Sequence, residues 1–236
     1  MVSILTVSGS VCFKTCFQKR HSRKGGSSLK THRPSETIVH RKPKMIRPVP
    51  LEKCYLLLNI GATVLVSAEA QGRANAMAAA WACAVDYMPK PKVSVVLDKA
   101  AFTRSLIEQN GLFALQIPVV RQAETVLKLG SSSGRDNPRK IEESGAKTFK
   151  PEGCPVPLIE GCAGWLLCRV MPNETMQQEH DLFVGEVLAA WADDAVFDGH
   201  WHFETAGDEW RTLHYVAGGH FYTIGAPLTV AGYDKE

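Results

Sequence analysis

No stretch of this 236-residue chain stays apolar for the roughly 18 to 20 residues that a bilayer-spanning helix needs. The reading is therefore a soluble, cytoplasmic protein with no membrane partner. Two catalytic signatures are also missing: the phosphate loop G-x-x-x-x-G-K and the zinc-binding H-E-x-x-H. Their absence shifts weight from resident metals toward cofactor chemistry. None of the seven cysteines (12, 16, 54, 83, 154, 162 and 168) forms a C-x-x-C pair. Positions 83, 162 and 168 lie in apolar runs, so reduced, buried thiols of a reducing compartment are expected. Cys12, Cys16 and His21 lack a fourth ligand at finger-like spacing, and no metal is assigned to them.

Acidic residues are scarce only at one end. Residues 1–50 hold eleven Lys and Arg against the single acid Glu36, a balance of +10, whereas residues 51–236 hold sixteen against twenty-three, or −7. The overall net charge of +3 thus averages a basic tail with an acidic domain. Residues 1–44 are rich in Ser, Lys, Arg and His and lose apolar periodicity after Phe17, which predicts a disordered extension. A transit peptide is one reading of it; a start codon set too early, with Met45 as the true beginning, is the favoured one. A tail of this charge would suit nucleic acid or an anionic membrane, but it resembles no folded reader, and neither partner is assigned. The working domain is residues 45–236, and its 45% hydrophobic and 22% charged content across the chain is that of an ordinary globule.

Periodicity predicts mostly strands. YLLLNIGATVLVSAE (55–69) is bulky and β-branched, broken at Gly61 and ended by the polar QGRAN turn. The small-residue run NAMAAAWACAVDYMP (75–89) could be helical by propensity, but its place between two strands favours strand. KVSVVLD (92–98), FALQIP (113–118), GWLLCRVM (164–171) and DLFVGEVLAAWAD (181–193) are further strands, the last two separated by a polar PNETMQQEH connection. FTRSLIEQNG carries Phe102, Leu106 and Ile107 at helical spacing and closes on Gly111. Val120, Ala123 and Leu127 mark a second helix, stopped at Gly130, and TLHYVAGGHFYTIGAPL offers two short aromatic strands. Strands with a few short helices and no βαβ alternation predict a mostly β, antiparallel barrel.

Two clusters attract attention as chemistry. His200 and His202 in H-W-H sit at i, i+2, but no third ligand accompanies them, so they are read as exposed or aromatic-stacking histidines. The loop SSSGRDNPRK (131–140) gathers hydroxyls and cations beyond what a turn requires, a composition suited to an anion. By itself it reads first as an exposed polar turn.

Taken together, RANAMAAAW, YMPKPKVSVVLD, AFTRSLIEQNGLFALQIP, SSSGRDNPRK and EHDLFVGEV resemble, in order and spacing, the flavin reductase-like family with the FMN-binding split β-barrel, of the flavoredoxin kind. The resemblance covers roughly residues 48–228. It implies a Greek-key split barrel, bound FMN, and an NAD(P)H-dependent flavin reductase in which NADH or NADPH gives hydride to N5 of the flavin. Its alternative is an FMN-carrying electron-transfer protein without a nicotinamide site. It further implies a homodimer, with a redox partner protein or a monooxygenase as recipient of electrons.

The resemblance also implies a set of cofactor-binding residues. Ser133, Gly134, Arg135 and Asp136 belong near the phosphate and ribityl chain. Where the family continues x-D-K this chain has Asn137, Pro138 and Arg139, so that Arg139 or Lys140 supplies the cation. Asn75, Ala76, Met77, Ala78 and Trp81 belong along the isoalloxazine edge. Lys99, Thr103 and Arg104 suit a phosphate at a helix start, Phe221 a ring contact, and His180 the role of catalytic residue beside the flavin.

Overall fold

Gln71 and Gly72 both hold positive φ, 51° and 72°, and so form the two-residue turn that matches the twist of a hairpin. This turn joins β1 (Val64–Ala70) to β2 (Arg73–Ala79), paired from Ala70↔Arg73 to Val64↔Ala79. A computed structural model describes residues 48–230 of the chain. The expected 1–44 extension and the boundary at residue 45 lie outside the described residues, as do Cys12, Cys16 and His21. From β2 the chain continues through β3 (Ala82–Asp86), β4 (Lys92–Val96), α1 (Phe102–Asn110), β5 (Leu112–Ile117) and α2 (Ala123–Ser131). After α3 (Lys140–Glu143) and the short pair β6 (Thr148–Phe149) and β7 (Leu158–Ile159) come β8 (Gly164–Met171), α4 (Glu174–Glu179) and β9 (Leu182–Ala192). The segment α5 (Phe203–Ala206) precedes the hairpin β10 (Leu213–Ala217) and β11 (His220–Thr223).

Seven strands form one antiparallel sheet in the order β2-β1-β5-β8-β9-β4-β3. Its two edges, β2 and β3, are consecutive in the chain and separated only by Ala80 and Trp81, so the sheet curls round to a split barrel rather than opening flat. The fold is the expected mostly β split barrel with short helices, its non-sequential neighbours giving the Greek-key crossovers.

The strands read as unbroken apolar runs because both faces are covered. Side chains alternate across a strand. Val64, Val66, Ala68, Met77, Ala79, Phe113, Leu115 and Phe183 fill the interior, together with Leu106 and Ile107 of α1. Leu65, Ala76, Ala78 and Ala114 face outward, where Val126 and Leu129 of α2 and Val156, Leu158 and Ile159 cover them. A buried polar set fastens that cover: Gln116 Nε2 donates to Ser67 Oγ at 2.9 Å, Ser67 donates to the Pro157 carbonyl, and the Ile159 N–H donates to Gln116 Oε1. α1 ends as predicted on Gly111, at φ 73°, whose N–H bonds to Ile107 O at 2.7 Å.

Four expectations changed. Residues 55–58 are not strand: Leu51–Leu57 is a 3-10 helix with no buried residue, because no neighbouring strand pairs with it, and β1 starts only at Val64. The polar connection after β8 contains α4, whose cap is Asn173: its side chain accepts from the Met176 N–H, and Gln177 closes back on the Asn173 N–H at 3.0 Å. α2 runs through Gly130 to Ser131. Cys83 is exposed, since it lies on edge strand β3, whereas Cys162 and Cys168 are buried as expected, and Cys154 is buried too. Burial pushes the thiols of Cys162 and Cys168 up to about 12, which keeps both protonated and inert.

Gly185 marks where β9 closes on the interior. A Cβ there would come within 2.6 Å of Phe113 Cζ and 3.1 Å of Cys168 Cβ. Gly185→Ala must displace Phe113 in a filled core, and we expect a loss of about 1–3 kcal/mol. Urea unfolding would register it as a lower midpoint at unchanged slope.

Candidate functional site

The first turn of α1 has no side-chain cap. Its N-cap is Ala101, in extended conformation (φ −69°, ψ 122°), which cannot accept a hydrogen bond from the N–H groups that follow. Those N–H groups and the positive end of the helix dipole favour an anion. Asp98 shapes the approach: its carbonyl accepts from the Ala101 N–H at 2.9 Å and its carboxylate from the Ala100 N–H at 2.7 Å. Thr103 is fully buried, and its Oγ1 accepts from Asn75 Nδ2 at 2.8 Å. The hydroxyl proton is thereby left to donate elsewhere.

Facing α1 is the loop that leaves α2. The Ser133 carbonyl accepts from the N–H groups of Asp136 (3.2 Å) and Asn137 (2.9 Å), and Ser133 Oγ accepts from Arg135 N–H at 3.2 Å, which winds the loop into a tight turn. Gly134 sits at its inner edge. A Cβ there would fall 2.3 Å from Asn75 Oδ1 and 2.9 Å from Phe102 Cδ1, so only glycine lets the loop close on β2 and α1. Arg73 fastens this junction, with its guanidinium 4.4 Å from the Phe102 ring centroid and Nη2 reaching the Gly134 carbonyl at 3.4 Å.

Between these walls lies a cleft of about 590 Å³. Asn75 and Met77 form its floor, Asp98 and Ala100 to Thr103 one side, and Gly130 to Asn137 with Lys140 the other. Ser131, Ser132 and Ser133, the start of α1 and Lys140, only 4% exposed, all line this cleft. That donor set fits a phosphate-bearing group.

The structure brings together Asn75, Met77, Thr103, Ser133, Gly134, Arg135, Asp136 and Lys140 from the expected set. It separates the others. Ala76 and Ala78, by strand alternation, belong to the outer core under α2 and do not face the cleft. Trp81 turns to the 3-10 helix side, donating to Asn59 Oδ1 at 3.0 Å and meeting Tyr55 edge-on. Lys99 is exposed and outside the cleft wall. Arg139 pairs at the surface with Glu143 at 2.8 Å, while its neighbour Lys140 turns inward, the helical step at α3 having swapped their faces. Phe221 packs against Tyr215 within the outer core at 5.4 Å between ring centroids.

Arg104 departs furthest from expectation. Its guanidinium turns away from the cleft: Nε bonds Glu108 at 2.8 Å, Nη1 bonds Leu97 O at 2.9 Å and the Asp181 carboxylate, and Nη2 bonds Gln177 O at 2.8 Å. Burial opposes the charged form, but the hydrogen bonds to Glu108 and Asp181 more than offset it and raise the arginine pKa. His180 is exposed at the end of α4 and is not part of the cleft wall. Sequence reasoning missed Arg73 and Asp98. Arg73 shares a strand face with Asn75 two residues on, a period-2 signal that could have found it. His200 and His202 form no metal cluster among the described residues; His202 pairs with Asp198, and Trp201 stacks between Phe197 and Phe203.

Comparison with known proteins agrees with this architecture. The model of the flavin reductase like domain matches residues 59–223. The Escherichia coli protein YddH, uncharacterized, is 40% identical over 186 residues, covering 77% of this chain and 96% of that protein. The crystal structure of an FMN-binding domain of a flavin reductase-like enzyme from Shewanella baltica superposes with a TM-score of 0.71 at 48% identity, over 77% of this chain and 95% of that one. Flavoredoxin of Desulfovibrio vulgaris shares the fold, with a TM-score of 0.62 at 22% identity over 74% and 92% of the two chains.

Gly134→Ala should break the junction of loop, β2 and α1. The new methyl displaces Asn75 and its bond to Thr103, at a cost of about 1–3 kcal/mol measured by chemical unfolding. Gly225→Ala, with open space around its Cβ position, should leave the unfolding midpoint unchanged.

Proposed function

Because the chain belongs to the flavin reductase-like family, we propose that its cleft holds FMN and that the protein oxidises NADH or NADPH, with hydride passing from the nicotinamide to the flavin. The observation that carries this reading is the meeting of an uncapped helix start, a fully buried Thr103 hydroxyl with its proton unspent, and a glycine pressed against Asn75. The FMN-binding Shewanella relative, 48% identical, supports the cofactor. When bound, FMN supplies the N5 hydride acceptor, so the protein need contribute position and charge rather than a nucleophile.

The first-turn N–H groups of α1, Thr103, the serine hydroxyls and Lys140 hold the phosphate, which carries between one and two negative charges near neutral pH. Arg135 and Asp136 border the ribityl chain. Asn75 and Met77 underlie the ring, Met77 offering an apolar, adaptable surface. His180, at the end of α4, orients the nicotinamide or stabilises reduced flavin. A second copy of the chain covers the exposed edge around β3, where Val85, Tyr87 and Met88 stand 52%, 82% and 62% exposed. Five free cysteines among the described residues support a cytoplasmic setting, and no helix among the described residues is long and apolar enough to cross a membrane.

An absorption spectrum of the purified full chain tests the function. Flavin bands that bleach under argon on addition of NADH or NADPH are expected, with bleaching slowed in His180→Ala loaded with equal FMN. Bands that bleach only with dithionite would replace the reductase by an electron carrier of the flavoredoxin kind, and a protein that takes up no FMN would remove both.

The phosphate contact has its own test. Lys140→Ala should weaken FMN binding by the 1.5–3 kcal/mol typical of a charged hydrogen bond, about ten- to a hundredfold in Kd, while leaving riboflavin affinity unchanged. Arg139→Ala should alter neither. Flavin fluorescence quenching reads both constants.

A further inference from the structure

Arg104, 2% exposed, is the largest of the fully buried side chains. Its partners all lie on one side of α1: Glu108 one turn along, the end of β4 at Leu97, and the segment running from α4 into β9 at Gln177 and Asp181, with the Phe183 ring 5.2 Å beneath. That last segment has little else to hold it. No residue of α4 is fully buried, and a cleft of about 620 Å³, bordered by Ile107, Leu112, Arg169, Pro172 and Gln177, opens between α4 and the second half of α1. Asp181 has φ 55°, a left-handed conformation that aspartate tolerates better than most residues with a side chain. The Arg104 guanidinium holds its carboxylate, and the Leu97 N–H donates to its carbonyl at 2.8 Å.

This arrangement bears on His180, the residue between α4 and Asp181. The β4–β9 ladder pairs Val96 with Leu182, and the Leu97–Asp181 bond extends it by one step. His180 therefore emerges at the end of the ladder where Asp98 begins the cleft wall. We propose that Arg104 is a positioning residue: it tethers α4 and Asp181 to α1 so that His180 is held beside the cleft that Thr103, its own neighbour in sequence, helps to form. The inference rests on the FMN and nicotinamide reading of that cleft. One helical turn thus serves two ends, with Thr103 turned to the cofactor and Arg104 to Gln177 and Asp181, which flank His180.

The test compares the full-length parent with Arg104→Lys and Asp181→Gly. Lysine keeps the charge but loses the fork that reaches four partners. Glycine accepts the left-handed backbone without strain and leaves Glu108 to neutralise Arg104, so Asp181→Gly carries the test should Arg104→Lys fail to fold. In both, amide exchange across residues 177–183 should accelerate about tenfold or more, and kcat/KM for the nicotinamide should fall about ten- to a hundredfold, as displaced positioning groups produce. FMN affinity, read by fluorescence quenching, should stay within about threefold of the parent. Unaltered exchange and turnover in Asp181→Gly would overturn the proposal. So would a loss of FMN affinity as large as the loss of turnover, because Arg104 would then act on the flavin site itself. A parent that takes up no FMN would defeat the function proposed above, while the exchange rates would still decide the tether.

Discussion

Strand β2 is covered on both faces, and small side chains make that possible. Ala76 and Ala78 on its outer face let α2 lie close, with Val126 and Leu129 against the sheet, and Met77 and Ala79 complete the interior on the other face. Bulkier outer residues would lift α2 away and carry with it the loop that follows. Because α2 ends directly in that loop, its seating on β2 fixes where Ser131 to Asn137 can stand. Gly134 then reaches Asn75 and Phe102 at distances that no Cβ would allow. The cleft is thus a by-product of helix-on-sheet packing, held to its width by one glycine.

Two buried cations divide the work around this cleft. Lys140 lines the cleft wall, and Arg104 directs its planar fork to two carboxylates and two carbonyls. A buried charge is tolerated only when it is paired and hydrogen-bonded. Arg104 meets that demand from within the protein, through Glu108 and Asp181.

The family relationship sets this chain among flavin reductase-like proteins, whose solved structures include an FMN-binding domain, and flavoredoxin shares the fold. Exposed elements of this chain include α4 with His180, edge strand β3 and the 3-10 helix Leu51–Leu57. Such elements carry few packing constraints, so they can vary without disturbing the sheet.

Residues alone determined the strands, α1 with its Gly111 cap and the antiparallel barrel class, since period-2 and period-3.6 patterns are local properties of the chain. The loop at 131–140 also stood out by its excess of hydroxyls and cations. Other features were decided only in three dimensions. Leu56, Leu57 and Leu58 look like strand until it emerges that no neighbouring strand pairs with them. Arg104 and Thr103 are adjacent letters of equal promise, yet one turn of helix sends their side chains to different sides, and only the positions of Asp181 and Asn75 reveal which faces the cleft. Arg139 and Lys140 exchange roles in the same way at α3. Sequence specifies which residue types are present and how they repeat; the direction in which each polar side chain is satisfied depends on partners dozens of residues away, and that is fixed by packing.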